Sequence, residues 1–119
     1  MDIERFEELV HQAVERLPDE IRELIDNVDI VVADRPTPEQ LKNAGQGQTL
    51  FGLYEGVPQT ERGRHYGLVL PDKITIFQSS FEWDFSGEGK IAREIEKTIK
   101  HEIAHHFGIS DERLKELEQ

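Results

Sequence analysis

The sequence predicts an α+β protein: helices first, a small mixed sheet in the middle, helices last. Three observations predict it. Apolar residues recur at helical spacing over residues 3–17, and Ile91, Ile95, Ile99 and Ile103 repeat every fourth position near the other end. Short β-branched or aromatic runs lie between them, bounded by Gly, Pro and Asp. A length of 119 residues makes one domain spanning 1–119 the expectation, with one modest core.

The first helix carries Ile3, Phe6, Leu9, Val10, Ala13, Val14 and Leu17 on one face and acidic residues on the other. Pro18 ends it or starts the next, a short helix over residues 19–26. Val28–Ala33 is β-branched and reads as a strand. Thr37, Pro38 and Gln40 form a helix-start signature: a capping hydroxyl, a fixed φ and an amide three residues after the cap. That helix must be brief, because Gly45 and Gly47 follow. Thr49–Tyr54 reads as a strand. Residues 56–65 read as an exposed loop, locally basic at Arg62, Arg64 and His65, that could serve as a lid. Tyr66–Leu70 and Ile74–Phe77 are two further strands, joined by a turn short enough for a hairpin. Ser79–Phe85 is expected to be irregular. Ser86 is the expected cap of a long helix over about 87–107; Gly108 stops it, and Ser110 caps a last helix over 111–118.

Charge and composition narrow the function. Asp and Glu total 25 against 14 Lys and Arg, a net charge of -11, which repels phosphate backbones and argues against a nucleic-acid partner. The absence of cysteine excludes disulfides, thiolate metal ligands and a cysteine nucleophile. No stretch approaches the ~20 apolar residues of a membrane span, and the acidic first residues lack signal-peptide character. The expected compartment is the cytoplasm, with no membrane partner.

The chemistry lies in residues 101–111, His-Glu-Ile-Ala-His-His-Phe-Gly-Ile-Ser-Asp. Four residues of helix turn the chain by about 400°, so His101 and His105 stand one above the other. Two imidazoles so placed can share one Zn²⁺ at ~2.0–2.1 Å each. Glu102 sits about 100° around the helix, displaced from ligation but placed to take a proton from metal-bound water. Ile95, Ile99 and Ile103 point away from the histidines, so one side of the helix can pack while the other lines a cleft. Gly108 permits the left-handed backbone that returns the chain, and Asp111 lies six residues beyond His105. Carboxylate oxygen is an acceptable zinc donor, so His101, His105 and Asp111 make a three-ligand site with a fourth position for water. Asp111 also suits the start of a helix, where the dipole favours it; the two roles are compatible. Glu112 and Glu116 are next in line as third ligand. Chance yields H-E-x-x-H with Gly and Asp at these offsets on the order of 10⁻⁴ times in such a chain, so the pattern is specific.

At these residues the chain resembles the small bacterial zincin-like family of minimal zinc metallopeptidases, with the pattern H-E-x-x-H-x-x-G-x-x-D. Residues 50–58 (Leu-Phe-Gly-Leu-Tyr-Glu-Gly-Val-Pro), Thr60 to Arg62 and Leu70 to Ile74 carry the likeness further along the chain. The resemblance implies a compact zincin-like fold, zinc on His101, His105 and Asp111, and Glu102 as catalytic base. The only methionine is Met1, so the Met-turn of full metzincins is absent.

The resulting expectation is hydrolysis of a peptide bond in a peptide or unfolded protein, by zinc-bound water activated by Glu102. Two other readings remain open: a metal-dependent, endoribonuclease-like hydrolase, and a non-catalytic zinc-binding interaction module. Around the motif, His106 is expected to be partly buried and hydrogen-bonded, off the metal face. Glu94 and Thr98 either line the cleft or are solvated. Tyr54 or Tyr66 is a candidate oxyanion donor. His65 and His11 read as surface. The strand 74–77 is either a sheet edge open to an extended peptide or an inner strand.

Overall fold

The computed structural model describes residues 1–44, 50–56 and 71–117 of the chain. The expected strand 66–70, its hairpin, Tyr66, His65 and all of the 56–65 loop beyond Gly56 lie outside the described residues. The observed class is α+β, as the patterning implied.

Helix α1 (Ile3–Glu15) buries Phe6, Leu9, Val10 and Ala13. Pro18 then opens α2 (Asp19–Leu24): its carbonyl accepts from the N–H groups of Ile21 at 2.9 Å and Arg22 at 3.0 Å. Ile21 and Leu17 join the same core. Strand β1 (Val28–Ala33) follows as expected. At α3 (Pro38–Ala44) the anticipated cap forms in both directions: Gln40 N–H donates to Thr37 Oγ1 at 3.1 Å, and Thr37 N–H donates to Gln40 Oε1 at 2.9 Å.

Strand β2 (Gly52–Glu55) begins later than the expected residue 49, and β3 (Asp72–Phe77) begins two residues earlier than Ile74. The described sheet has the order β1-β3-β2. β1 runs parallel to β3, from Val28 opposite Asp72 to Ala33 opposite Phe77. β2 runs antiparallel to β3, from Gly52 opposite Ile76 to Glu55 opposite Lys73. The sheet is therefore mixed. Of the two placements weighed for strand 74–77, it takes the inner one, flanked on both sides and unavailable for pairing with a peptide.

Residues 78–84 correct the expectation of irregular structure. Helix α4 (Gln78–Asp84) continues directly from β3, with Phe77 extended at its start. Phe81 is fully buried, edge-on to Phe51 at 5.1 Å and tilted against Phe6 at 5.8 Å. Phe77, Phe81 and Phe85 recur at helical spacing, and Phe85 N–H donates to the Phe81 carbonyl at 2.9 Å. The buried Gln78 amide is satisfied by donating to Met1 O at 2.8 Å and Glu82 Oε1 at 2.6 Å. This aromatic anchoring outweighs the polar composition of the segment.

Helix α5 (Glu88–Phe107) is the longest element. Its cap position is Gly87 at φ 87°, with no side-chain cap bond, which replaces the expected Ser86 cap. A positive φ strains any side chain, so glycine takes the turn. Ile91, Ile95, Ile99 and Ile103 are all buried and share one core with Ile74, Ile76 and the apolar face of α1. Burying such side chains stabilises by about 1.5–3 kcal/mol each, which fixes the roll of α5 on the rest of the fold. Arg5 of α1 forks onto Glu88 at 2.6–3.1 Å. Both residues are exposed, so the pair adds little stability.

Candidate active site

With its isoleucines against the core, α5 turns its other side outward. His101 and His105 are exposed there, and Glu102 is half-buried at the margin between the two sides. The end of the helix forms as Gly108 dictates. Gly108 is left-handed at φ 71° and ψ 26°, and Ile109 N–H donates to the Ala104 carbonyl at 2.8 Å. Ser110 then caps α6 (Asp111–Leu117), its Oγ accepting from Arg113 N–H at 3.1 Å. Leu114 is buried, and Arg113 reaches Glu20 of α2 at 2.9 Å.

Strand β2 passes close beside α5. A Cβ placed on Gly52 would lie 2.8 Å from Thr98 Cγ2 and 3.3 Å from Ile76 Cδ1, so only glycine allows this approach. Between strand and helix runs a groove. Leu50, Gly52, Leu53 and Tyr54 form one wall; His101, Glu102, His105 and His106 form the other. Toward the start of α5 the same seam is lined by Glu94, Lys97 and Thr98. Glu94 and Thr98 are thus groove residues, and Glu94 is paired with Lys90 at 2.9 Å.

Burial pushes the Glu102 carboxyl above the usual carboxylate range. A hydrogen bond from the Tyr54 backbone N–H, together with His105 and His101, opposes that rise. Glu102 thus sits between the helix that carries it and β2, both of which line the groove.

The surrounding aromatics settle two expectations. His106 is exposed, and it stacks on the Tyr54 ring at 3.8 Å and 14° with Phe107 edge-on to both. This corrects the expected partly buried, hydrogen-bonded histidine: stacking pins the last turn of α5 to β2. The Tyr54 hydroxyl donates to Asp72 Oδ2 at 2.8 Å. Its ring and hydroxyl are both committed, which does not favour Tyr54 as an oxyanion donor. His11 is a surface residue, as expected, 3.1 Å from Glu15.

The structure brings His101, Glu102 and His105 to one groove. It does not bring Asp111 there: Asp111 opens onto a second cleft, between α5 and α6, which it shares with His101. Asp111 occupies the first turn of α6, the dipole-favoured position. Glu112 is exposed, and Glu116 is paired with Arg113 at 2.9 Å. Among the described residues no three His, Asp or Glu side chains are gathered closely enough to hold an ion. The two imidazoles fit a zinc-type cation by donor chemistry and by their one-turn spacing on an exposed helix face.

Two features escaped the sequence reading. One is Gly52, whose role depends on a neighbour far along the chain. The other is the crowding of Arg93, Lys97, Lys100 and Lys115 around the cleft of His101 and Asp111. The helical spacing of 93, 97 and 100 was visible, but their meeting with Lys115 was not.

An α+β fold that sets an H-E-x-x-H helix beside a strand groove is the zincin architecture. Residues 25–119 match the zincin-like metallopeptidase family, and the chain belongs to that family. A conserved hypothetical protein from Thermus thermophilus has a similar solved structure, with TM-score 0.57 and 25% identity over 90% of this chain and 94% of that one. No curated protein matches the chain. Among the described residues no helix is long and apolar enough to cross a membrane.

Proposed function

We propose that this chain is a zinc-dependent peptidase acting on peptides or unfolded segments. The observation that carries the reading is the convergence of His101, His105 and the half-buried Glu102 on one groove beside β2. His101 and His105 would hold one Zn²⁺, with Asp111 as the third donor. When bound, such an ion polarises a carbonyl and makes water a stronger acid.

Glu102 is the general base. Its carboxylate takes a proton from the attacking water and delivers it to the leaving amine. A carboxyl raised by burial is better matched to both transfers than an ordinary surface glutamate.

The test is cleavage of a fluorogenic peptide library by the zinc-loaded protein and by Glu102→Gln. Wild type should cleave members of the library, and the variant should keep the metal while losing about 10²-fold or more of turnover. Turnover of the variant above a few per cent of wild type removes Glu102 as base.

A further inference from the structure

We propose that the cleft between α5 and α6 is a carboxylate subsite, so that the substrates of the adjoining groove are acidic peptides. This rests on the peptidase reading above and extends it to substrate class. Arg93, Lys97 and Lys100 from α5 face Lys115 from α6 across this cleft, and Leu114 lines it. Four cations thus meet two carboxylates, Glu96 and Asp111, in a chain whose net charge is -11.

The arrangement works against the fold in the absence of an anion. Arg93 and Lys97 are a like-charge pair at i,i+4, a spacing that destabilises a helix slightly. The same spacing is used for attraction by Lys90 with Glu94 at 2.9 Å and, within the cleft itself, by Lys100 with Glu96 at 3.3 Å. The side chains of Arg93, Lys97 and Lys115 make no ion pair or hydrogen bond among the described residues. Four cations against two carboxylates among the described residues of one concavity form a local field opposite in sign to that of the whole molecule.

Position and size give the ligand. His101 borders both the groove and this cleft, so a chain lying over His101 and Glu102 has a neighbouring residue within reach of the cations. The cleft holds about 580 Å³, room for a side chain or a chain end rather than a folded partner. A side-chain carboxylate of Asp or Glu and a C-terminal carboxylate offer the same chemistry. A polyanion does not fit as well, because each added phosphate meets the acidic remainder of the surface.

Binding separates this proposal from the hydrolytic one. Fluorescent peptides are titrated against zinc-loaded Glu102→Gln protein at low salt, followed by anisotropy. One arm compares Glu with Gln in the peptide, and another compares a free with an amidated C-terminus. At least one acidic form should bind on the order of tenfold more tightly than its neutral partner. Arg93→Gln, which lines this cleft and not the groove, should lower that ratio and leave the neutral peptide unaffected, and adding Lys97→Gln should bring the ratio close to 1. Lys115→Gln, on the other helix, should lower the ratio in the same direction. Equal affinities in both arms overturn the subsite, as does a ratio unchanged in the charge variants. Tighter binding of an oligoribonucleotide through the same residues overturns it too. Acidic preference without cleavage by wild type sinks only the peptidase reading, and cleavage without acidic preference sinks only the subsite.

Discussion

The two sides of α5 obey the same helical repeat and answer to different demands. On one side Ile91, Ile95, Ile99 and Ile103 are buried against β3 and the apolar face of α1, where any branched apolar side chain of similar volume would serve. On the other side His101, Glu102 and His105 border an open groove, where the side-chain type cannot change without changing the chemistry. The buried side sets the roll of the helix, and the roll decides which residues the groove receives. Glu102 lies at the boundary, and it carries a cost that no isoleucine bears: an ionisable group partly removed from water.

Substitutions on the two sides should therefore separate activity from stability. The largest effect belongs to Glu102→Gln, which should cut peptide turnover by about 10²-fold or more while chemical denaturation shows no loss of stability. Ile99→Ala inverts the result. It should cost about 2–5 kcal/mol in denaturant unfolding, while each folded molecule retains its capacity for zinc. A variant that lost zinc at unchanged stability would blur the distinction between the sides.

Gly52→Ala probes the seam between them. The new methyl group meets Thr98 and Ile76, so β2 must move away from α5 or the side chains must shift. The expected cost is about 1–3 kcal/mol, with weakened peptide binding in the groove and little change in zinc content. Unchanged melting and unchanged binding would show that the close approach does not shape the groove.

The smallest effect is a pH dependence of the metal-free protein. Because burial raises the Glu102 carboxyl in the folded state, its ionisation opposes folding near neutral pH. The stability conferred by the protonated form is present below the unfolded-state value and lost as pH rises through the folded one. Glu102→Gln lacks this loss. The metal-free variant should thus melt slightly above wild type at pH 7, and the gap should close as pH falls into the ordinary carboxylate range. A gap that widens on acidification would reverse the assigned direction.

The fold was legible in the sequence wherever one local signal governed the outcome. The isoleucine repeat, the reciprocal Thr37–Gln40 cap, the left-handed Gly108 and the Ser110 cap all formed as read. Local signals failed where distant packing decided. The segment 78–84 became helix because Phe81 enters a pocket made by Phe6 and Phe51, residues far away in the chain. Ser86 yielded its capping place to Gly87, whose φ no other residue adopts without strain. In the site, the one-turn spacing fixed His101, Glu102 and His105 relative to one another. Placing Asp111 needed the angle between α5 and α6, which residue spacing across a glycine bend does not specify. The stacking of His106 on Tyr54 was equally hidden, since it joins a helix end to a strand about fifty residues earlier.

Zinc content after exhaustive dialysis, measured by elemental analysis on wild type, His101→Ala, His105→Ala and Asp111→Ala, decides whether these three side chains hold a metal ion. One ion per wild-type chain is expected, none on either histidine variant and a sharply weakened hold in Asp111→Ala, with all four proteins folded. Wild type that retains no zinc, or histidine variants that retain it fully, would show that the two imidazoles do not hold the ion.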